Sequence, residues 1–140
     1  MALPPRRLKR INEGDRMLKT ARIQTTLPAQ DLSRARTFYA TKLGLEPVEE
    51  RPGGLVYECS GSRFLLFPSQ GKPSGTHTQI GFAVDNIVAE VAELKRRGLT
   101  FEEYDFPGLK TVDSIATIGS DKAAWFKDSE GNLLGVVQMS

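Results

Sequence analysis

The chain has 140 residues, which is enough for one domain with a sizeable core but short for two. A hydrophobic fraction of 39% and a charged fraction of 26% are typical of a globular protein and exclude a disordered chain. The net charge is +2, from 19 basic and 17 acidic residues. Residues 1–20 hold six of the basic and two of the acidic residues. Residues 21–140 therefore hold 13 basic and 15 acidic residues, a net charge of −2. The excess positive charge belongs to a basic leader, and we expect no nucleic-acid partner.

One cysteine and one histidine limit the chemistry that this chain can perform. A single cysteine excludes an internal disulfide and a cysteine-rich zinc site, which favours a cytoplasmic location. A single histidine excludes an iron site of two histidines and one carboxylate within one chain. No apolar run approaches the ~20 residues needed to span a bilayer. No apolar segment typical of a secretory signal follows the N-terminal arginines, so we also expect no membrane partner.

The first half of the chain follows the leader, residues 1–20, which we expect to be flexible. Asp31 is placed to cap a helix that Gly44 ends. The predicted elements in this half are a strand beginning at Gln24, a helix over 32–43, a weak strand over 46–51, and a hairpin of strands 55–59 and 64–67. A linker rich in glycine, proline and serine follows at residues 71–75.

The second half repeats this order, because Gln79 precedes Phe82 and Asn86 as Gln24 precedes Leu27 and Asp31. Either Asp85 or Asn86 is placed to cap the second helix, and Gly98 follows it. The predicted elements are a strand beginning at Gln79, a helix that begins at Ile87 and closes on Gly98, a weak strand over 100–104, and a hairpin of strands 123–127 and 133–138. Residues 106–120 are predicted to form a loop over a site.

The fold class predicted from this repeat is α+β, with two βαβββ modules in one domain over residues 21–140. The modules span about 22–70 and 76–138, and their sheets enclose a cleft with the helices outside. Strand alternation predicts that Ile80, Phe82 and Val84 lie on the helix side. The cleft side is then predicted to carry the alternate residues of the first strand in each half: Gln24, Thr26, Gln79, Gly81 and Ala83.

Two segments carry a family resemblance. Residues 27–45 read LPAQDLSRARTFYATKLGL, and residues 124–133 read AWFKDSEGNL. These segments resemble the opening and the closing hairpin of the glyoxalase/bleomycin-resistance/dioxygenase proteins, the vicinal oxygen chelate superfamily. The resemblance implies paired βαβββ modules around a cleft and a homodimer. It also implies either an enzyme with a divalent metal in that cleft or an antibiotic-binding protein without one.

The resemblance further implies four metal-ligand positions, and this sequence departs from the family at most of them. Gln24 stands where the family has His or Gln, Gln79 where it usually has His, and Gly135 where it usually has Glu. Leu65 or Leu66 stands where the family often has Glu. Two neutral amides without a carboxylate would hold a divalent ion weakly. We therefore expect no metal and no cofactor.

Two residues leave a metal site open as an alternative. His77 lies two residues before Gln79 and shares its strand face, so a bulge or a shifted register could bring it to the ligand position. Glu58 could supply a carboxylate from the neighbouring hairpin. The other interpretation of His77 is a surface residue beside the linker.

The function expected from these residues is metal-independent binding of a small molecule, an antibiotic or a metabolite. Trp125 is either an aromatic wall for that ligand or a core residue. The segment 102–105 is either an anionic patch for a cationic ligand or a solvated edge. The expected ligand-binding residues are Gln24, Thr26, Leu66, His77, Gln79, Trp125 and Gly135. The alternatives are a metal-dependent lyase, isomerase or dioxygenase with an altered metal site, and an interaction module, so catalytic residues are not assigned.

Overall fold

A computed structural model describes residues 17–140. Most of the basic leader expected over residues 1–20 therefore lies outside the described residues, and only a 3-10 turn at Met17–Thr20 belongs to them. The first half contains β1 (Thr25–Ala29), α1 (Leu32–Phe38), β2 (Glu49–Arg51), β3 (Gly54–Cys59) and β4 (Ser62–Pro68). The second half contains β5 (Ile80–Ala83), α2 (Ile87–Arg96), β6 (Asp105–Phe106), β7 (Leu109–Val112), β8 (Ile115–Ile118), β9 (Asp121–Lys127) and β10 (Leu133–Gln138).

The two halves build two sheets with the same strand plan. The first sheet has the order β1-β4-β3-β2, and β1 runs parallel to β4. The second sheet has the order β5-β10-β9-β8-β7-β6, and β5 runs parallel to β10. Its first four strands repeat the order of the first sheet, with β5, β10, β9 and β8 in the places of β1, β4, β3 and β2. The α+β fold with paired modules is confirmed.

The prediction of a loop over residues 106–120 is wrong, because this segment forms β6, β7 and β8. Gly108 turns β6 into β7 at φ 86°, and Asp113 and Ser114 turn β7 into β8 with φ of 51° and 75°. Two consecutive residues with positive φ form the tight turn that suits a hairpin. The glycine and polar residues of this segment are therefore turn residues between strands rather than parts of one long loop.

The prediction of a weak strand over residues 100–104 is also wrong. Only one isolated bridge, between Phe101 and Phe126, joins this segment to the sheet. The place beside β9 belongs to β8, since Ala116 pairs with Ala123 and Ile118 with Asp121. The insertion that carries β6 and β7 moved the equivalent strand about fifteen residues along the chain, as the strand bounds show.

Both helices begin as the capping residues predict. The Asp31 side chain accepts a hydrogen bond from the Arg34 N–H at 2.9 Å, and the Asn86 side chain accepts one from the Ala89 N–H at 3.1 Å. After Phe38, α1 continues as a π-helical turn, Tyr39–Leu43, which ends at Gly44 with φ 69°. Among residues 17–140, no helix is long and apolar enough to cross a membrane.

The core lies between the helices and the inner faces of both sheets. Leu27 and Leu66 pair across β1 and β4, and both are fully buried. Ile80, Phe82 and Val84 pack against the core from the second half, as alternation predicts. Alternate positions therefore leave one side of each sheet facing away from the helices, and these two sides are here called the open faces.

A buried polar network joins the two halves. The Tyr39 hydroxyl donates to Asp128 Oδ2 at 2.7 Å, and burial and the adjacent carboxylate raise the pKa of Tyr39, so it stays a donor. The Asn132 amide donates both to Asp128 Oδ2 at 2.8 Å and to the carbonyl of Pro28 at 2.9 Å. Arg34 donates twice to Glu130, whose side chain has no exposed surface. The turn between β9 and β10 thus holds the start of α1 in place.

Candidate functional site

The open face of the second sheet is apolar and aromatic. Register places Gly81 beside Gly135 and Gly135 beside Trp125, so these three residues form one row across β5, β10 and β9. Ala83, Val137 and Ala123 form the next row on the same face. Gly81 and Ala83 are exposed and Trp125 is half-buried. We call this surface, together with Tyr104 and Phe106, the aromatic face.

Three aromatic rings stand next to one another on the aromatic face. The rings of Tyr104 and Trp125 meet edge to face with centroids 5.5 Å apart, and those of Tyr104 and Phe106 do so at 5.8 Å. The Trp125 indole N–H donates to Thr78 Oγ1 at 3.0 Å, which fixes the ring relative to the start of β5. Phe106 is 53% exposed. Edge-to-face rings with accessible surface are a common way to bind a flat apolar molecule.

Gly135 makes room for this arrangement. A Cβ atom at this position would lie 3.5 Å from Trp125 Cδ1 and 3.4 Å from Thr78 Cγ2. At Gly81 the nearest atoms to such a Cβ would be 4.0 Å away. A Cβ at Gly135 would thus be in ordinary van der Waals contact, and a longer side chain would compete with the indole for this space. The missing side chain at Gly81 leaves an open floor beside Gly135.

Gln79 does not offer a free amide oxygen. Its Oε1 accepts a hydrogen bond from the Leu133 N–H at 3.2 Å, and its backbone N–H donates to the Leu133 carbonyl at 2.9 Å. The side chain thus serves the pairing of β5 with β10. The amide oxygen of Gln79, expected to bind a ligand, therefore has a structural role.

His77 lies in a bend before β5, is exposed, and is hydrogen-bonded through Nδ1 to Ser74 Oγ at 3.2 Å. Gln24 and Thr26 are exposed on the first sheet, and register puts Thr26 beside Leu65. The structure therefore brings together Trp125 and Gly135, with Gln79 tied to the adjacent strand. Gln24 and Thr26 lie on the first sheet and belong to neither row of the aromatic face. One cavity is lined by residues of both sheets, among them Arg63 of β4 and Gly81 of β5.

Leu66 corrects the sequence interpretation. It was expected to be a wall of the binding cleft, but its side chain is fully buried in the core opposite Leu27 and Leu55. The residue on the open face of β4 is Leu65, next to Thr26 and Val56. A one-residue shift along a strand moves a side chain to the other side of the sheet, and the sequence left these two leucines as alternatives for the family position.

The residues at the four family positions do not fit a divalent metal. Gln24 is a neutral amide, Leu65 and Leu66 have no ligating atom, the Gln79 oxygen is already hydrogen-bonded, and Gly135 offers no side chain. Within residues 17–140, no group of three His, Cys, Asp or Glu side chains is arranged to hold a metal ion. Glu58, considered as a substitute carboxylate, pairs with Arg63 at 3.0 Å. A divalent ion needs several converging anionic or neutral donors, and these residues do not supply them.

Tyr104 and Phe106 were not named as site residues, because Tyr104 lies in the segment 102–105, which was interpreted by its charge, and Phe106 begins the segment predicted to be a loop. Glu103 has a structural role, since it accepts hydrogen bonds from Thr111 Oγ1 at 2.6 Å and Ser114 Oγ at 2.7 Å. These two hydrogen bonds lower the pKa of Glu103. The spacing of Tyr104 and Phe106, two residues apart with charged neighbours, was the available signal for two rings on one face.

The open face of the first sheet is polar and contains a cavity of about 770 Å³. The cavity lies against β1, β3 and β4, and the charged residues that line it are Arg22, Arg51 and Arg63. Gln24 and Val56 line it as well. We call this cavity the arginine recess. Gln24 is the one sequence-predicted site residue in it.

The sequence pattern of the Glyoxalase/Bleomycin resistance protein/Dioxygenase superfamily matches residues 22–136. The chain belongs to this superfamily. The match includes both modules, the aromatic face and the arginine recess. No curated protein sequence matches the chain.

Several solved structures have the same fold. A lactoylglutathione lyase from Agrobacterium tumefaciens is 26% identical with a TM-score of 0.56, and the match covers 85% of this chain and 93% of that one. TnmS3, an antibiotic binding protein from Streptomyces sp. CB03234, is 22% identical with a TM-score of 0.60 and coverage of 84% and 93%. A superfamily protein from Alicyclobacillus acidocaldarius is 21% identical with a TM-score of 0.61 and coverage of 83% and 89%.

Proposed function

We propose that this protein binds a flat, largely apolar small molecule, an antibiotic or a metabolite, without a metal. The observation that carries the proposal is the approach of the Trp125 indole to Gly135, the position at which the family resemblance implies a metal-binding glutamate. An aromatic ring lies against the sheet where an enzyme of this family would need a carboxylate. Binding by such a surface depends on a preformed apolar contact area rather than on a reactive group.

The aromatic face has the features that this function needs. Its rings are held by a hydrogen bond from Trp125 to Thr78 and by edge-to-face contacts with Tyr104. Little side-chain conformational entropy is therefore lost when a ligand binds. The Gly81 floor gives a flat molecule access to the backbone surface beside the indole.

Charge near the aromatic face does not select strongly for a cation. The Glu103 carboxylate already accepts hydrogen bonds from the hydroxyls of Thr111 and Ser114. The Glu102 carboxylate lies 3.7 Å from the ammonium group of Lys127. Asp105 is exposed and lies in the sequence between Tyr104 and Phe106. We therefore expect shape and aromatic contact to contribute more to the affinity than charge does.

The superfamily relatives do not decide between binding and catalysis, because an antibiotic binding protein and a lactoylglutathione lyase both have this fold. The side chains of this chain favour binding, because the residues at the four family positions do not suit a divalent metal. We further propose a homodimer in the cytoplasm and a single domain over residues 21–140. Sedimentation equilibrium of the purified protein tests the dimer, and a monomer at micromolar concentration contradicts it.

The binding proposal can be tested by fluorescence because Trp125 is the only tryptophan of the chain. Neutral flavones and cationic acridines should quench or shift its emission saturably, with neutral compounds binding at least as well as cationic ones. Calorimetry then compares Trp125→Ala with Val88→Ala, a control at an exposed residue of α2. We expect Trp125→Ala to weaken binding roughly tenfold or more, in line with an aromatic hot spot, and the control to change it less than about twofold. Equal binding by both variants, or turnover that appears only when Ni, Zn, Mn or Fe(II) is added, contradicts the proposal.

A further inference from the structure

Another cavity lies where the two helices end. It is lined by Phe38, the last residue of α1, by residues 98–102, which follow α2, and by Lys127 of β9. It shares no lining residue with the arginine recess or with the cavity that both sheets line. Its volume of about 310 Å³ is at the lower end of the range of small-molecule pockets, roughly 300–1,000 Å³. We call it the helix-end pocket.

The apolar wall of the helix-end pocket is held in place by aromatic contacts. The Phe38 ring meets the Tyr39 ring edge to face with centroids 5.8 Å apart, and the Phe101 ring meets that of Phe126 edge to face at 5.7 Å. Phe38 is half-buried, so it keeps accessible surface beside the pocket. A preformed apolar wall binds the body of a small molecule with little loss of side-chain conformational entropy.

Two lysines bring positive charge to the helix-end pocket. Lys127 lines it, and the Lys127 ammonium group lies 3.7 Å from the Glu102 carboxylate. The Lys42 ammonium group lies beside Gly98, 2.6 Å from where a Cβ atom of that residue would be. Lys42 is half-buried, and no carboxylate among residues 17–140 lies within salt-bridge distance of it. The two lysines and Glu102 therefore leave the pocket with an excess of positive charge.

Hydrogen bonding at the end of α2 does not account for Lys42. The Leu99 N–H donates to the Leu94 carbonyl at 3.0 Å, and the Gly98 N–H donates to the Lys95 carbonyl at 2.9 Å. This pattern satisfies the last carbonyls of a helix that ends at a glycine. The dipole of α2 favours a cation at this end, but its own last turn already carries two basic residues. The ammonium group of Lys42 is therefore available to an anion.

From these contacts, we infer that the helix-end pocket binds a small molecule with an aromatic body and one carboxylate or phosphate group. A lysine ammonium group binds either anion as a point charge, and charge-assisted hydrogen bonds are stronger than neutral ones. Phe38 and Phe101 supply the apolar wall for the aromatic body. No residue of the aromatic face lines this pocket, so the inference goes beyond the proposed function.

The experiment follows the backbone amide signals of the full chain in NMR spectra. Sodium benzoate, phenyl phosphate, benzamide and sodium acetate are titrated at equal ionic strength. We expect saturable shifts at Gly98, Thr100 and Lys127 with benzoate, phenyl phosphate or both. Binding of only one of these two supports the pocket and tells whether its ligand carries a carboxylate or a phosphate group. Benzamide has the ring without the charge and acetate the charge without the ring, so each should bind roughly tenfold more weakly.

Three outcomes of these titrations overturn the inference. They are benzamide binding as well as the anions, acetate binding as well as benzoate, and no saturable shift at Gly98, Thr100 and Lys127. The indole N–H signal of Trp125 reports the aromatic face separately. Shifts confined to that signal overturn the inference while they support the proposed function, so failure of one site is distinguishable from failure of the other.

A matched pair of double variants separates the helix-end pocket from general surface charge. K42Q/K127Q removes the two lysines of the pocket, and K110Q/K122Q removes two exposed lysines, on β7 and β9, that do not line it. We expect the pocket variant to weaken binding of the effective anion roughly tenfold, and the control variant to change it less than about twofold. Trp125→Ala should leave the shifts at the pocket unchanged. Equal weakening by both double variants overturns the inference.

Discussion

The two sheets of this protein share one strand order but present opposite chemistry on their open faces. The first sheet surrounds a cavity with arginines and carries the glutamates that pair with them. The second sheet carries Trp125 beside Gly135, with the Tyr104 ring against the indole and the Phe106 ring against Tyr104. The repeat therefore fixes the scaffold, while the alternate positions of each strand are free to differ. One fold can in this way carry two chemically different surfaces.

The largest expected effect concerns the two sides of the first sheet. Leu66→Ala removes a fully buried side chain and should lower the free energy of unfolding by about 2–5 kcal/mol. Leu65→Ala, on the half-exposed open face, should cost about 1 kcal/mol, because it leaves no closed cavity. Urea unfolding of both variants measures the difference. Equal losses would show that the open face is as tightly packed as the core.

The next effect concerns the contact that holds the halves together. Asp128→Ala leaves the Tyr39 hydroxyl, the Asn132 amide and two backbone N–H groups without their buried acceptor. We expect a loss of about 3 kcal/mol, since buried donors without partners are costly. Tyr39→Phe removes one donor only and should cost about 1 kcal/mol. Thermal unfolding of the two variants tests this order, and a larger loss for Tyr39→Phe would contradict it.

The aromatic face can be disturbed through its glycines. Gly135→Val puts a Cβ in van der Waals contact with the Trp125 indole and Thr78 and adds two methyl groups beyond it, so we expect a loss of about 1–3 kcal/mol and a red-shifted tryptophan emission. Gly81→Val meets no atom closer than 4.0 Å at its Cβ and should change stability by less than about 1 kcal/mol. An unchanged emission spectrum in Gly135→Val would mean that the indole does not depend on this glycine.

The smallest expected effect is a pH dependence. Hydrogen bonds from Arg34, opposed by burial, hold the pKa of Glu130 at about 2. Because this pKa is below the unfolded value, the carboxylate stabilises the fold above about pH 4.5 and loses this contribution as the pH falls towards 2. The loss should be about 1–2 kcal/mol, and Glu130→Gln should remove this part of the pH dependence.

Glu93 is the control for Glu130, because its pKa is also about 2, held there by hydrogen bonds from Arg96 and Arg97. Its side chain is 41% exposed, whereas that of Glu130 has no exposed surface. Glu93→Gln should therefore alter the pH dependence of unfolding less than Glu130→Gln does. A larger effect at Glu93 would mean that surface pairs, and not the contact between the halves, set the acid response.

The sequence predicted most of the fold because its signals are local. Asp31 and Asn86 cap helices through their own backbone neighbours, and the alternation of Ile80, Phe82 and Val84 places them against the core. The insertion in the second half was not predicted, since β6 and β7 are short and joined by turn residues that also occur in loops. A short strand is stable only through its partner, and the partner is not visible in its own sequence.

The sequence by itself determined the repeated strand–helix order, the family resemblance and the lack of carboxylates at the family's metal positions. Only the tertiary structure decided that Leu66 lies in the core, that Tyr104 and Phe106 join Trp125, and that three arginines surround one recess. The physical reason is that residue type is a local property, whereas the side of a sheet and the neighbours on it depend on register. Register is fixed by contacts between strands that lie far apart in the chain.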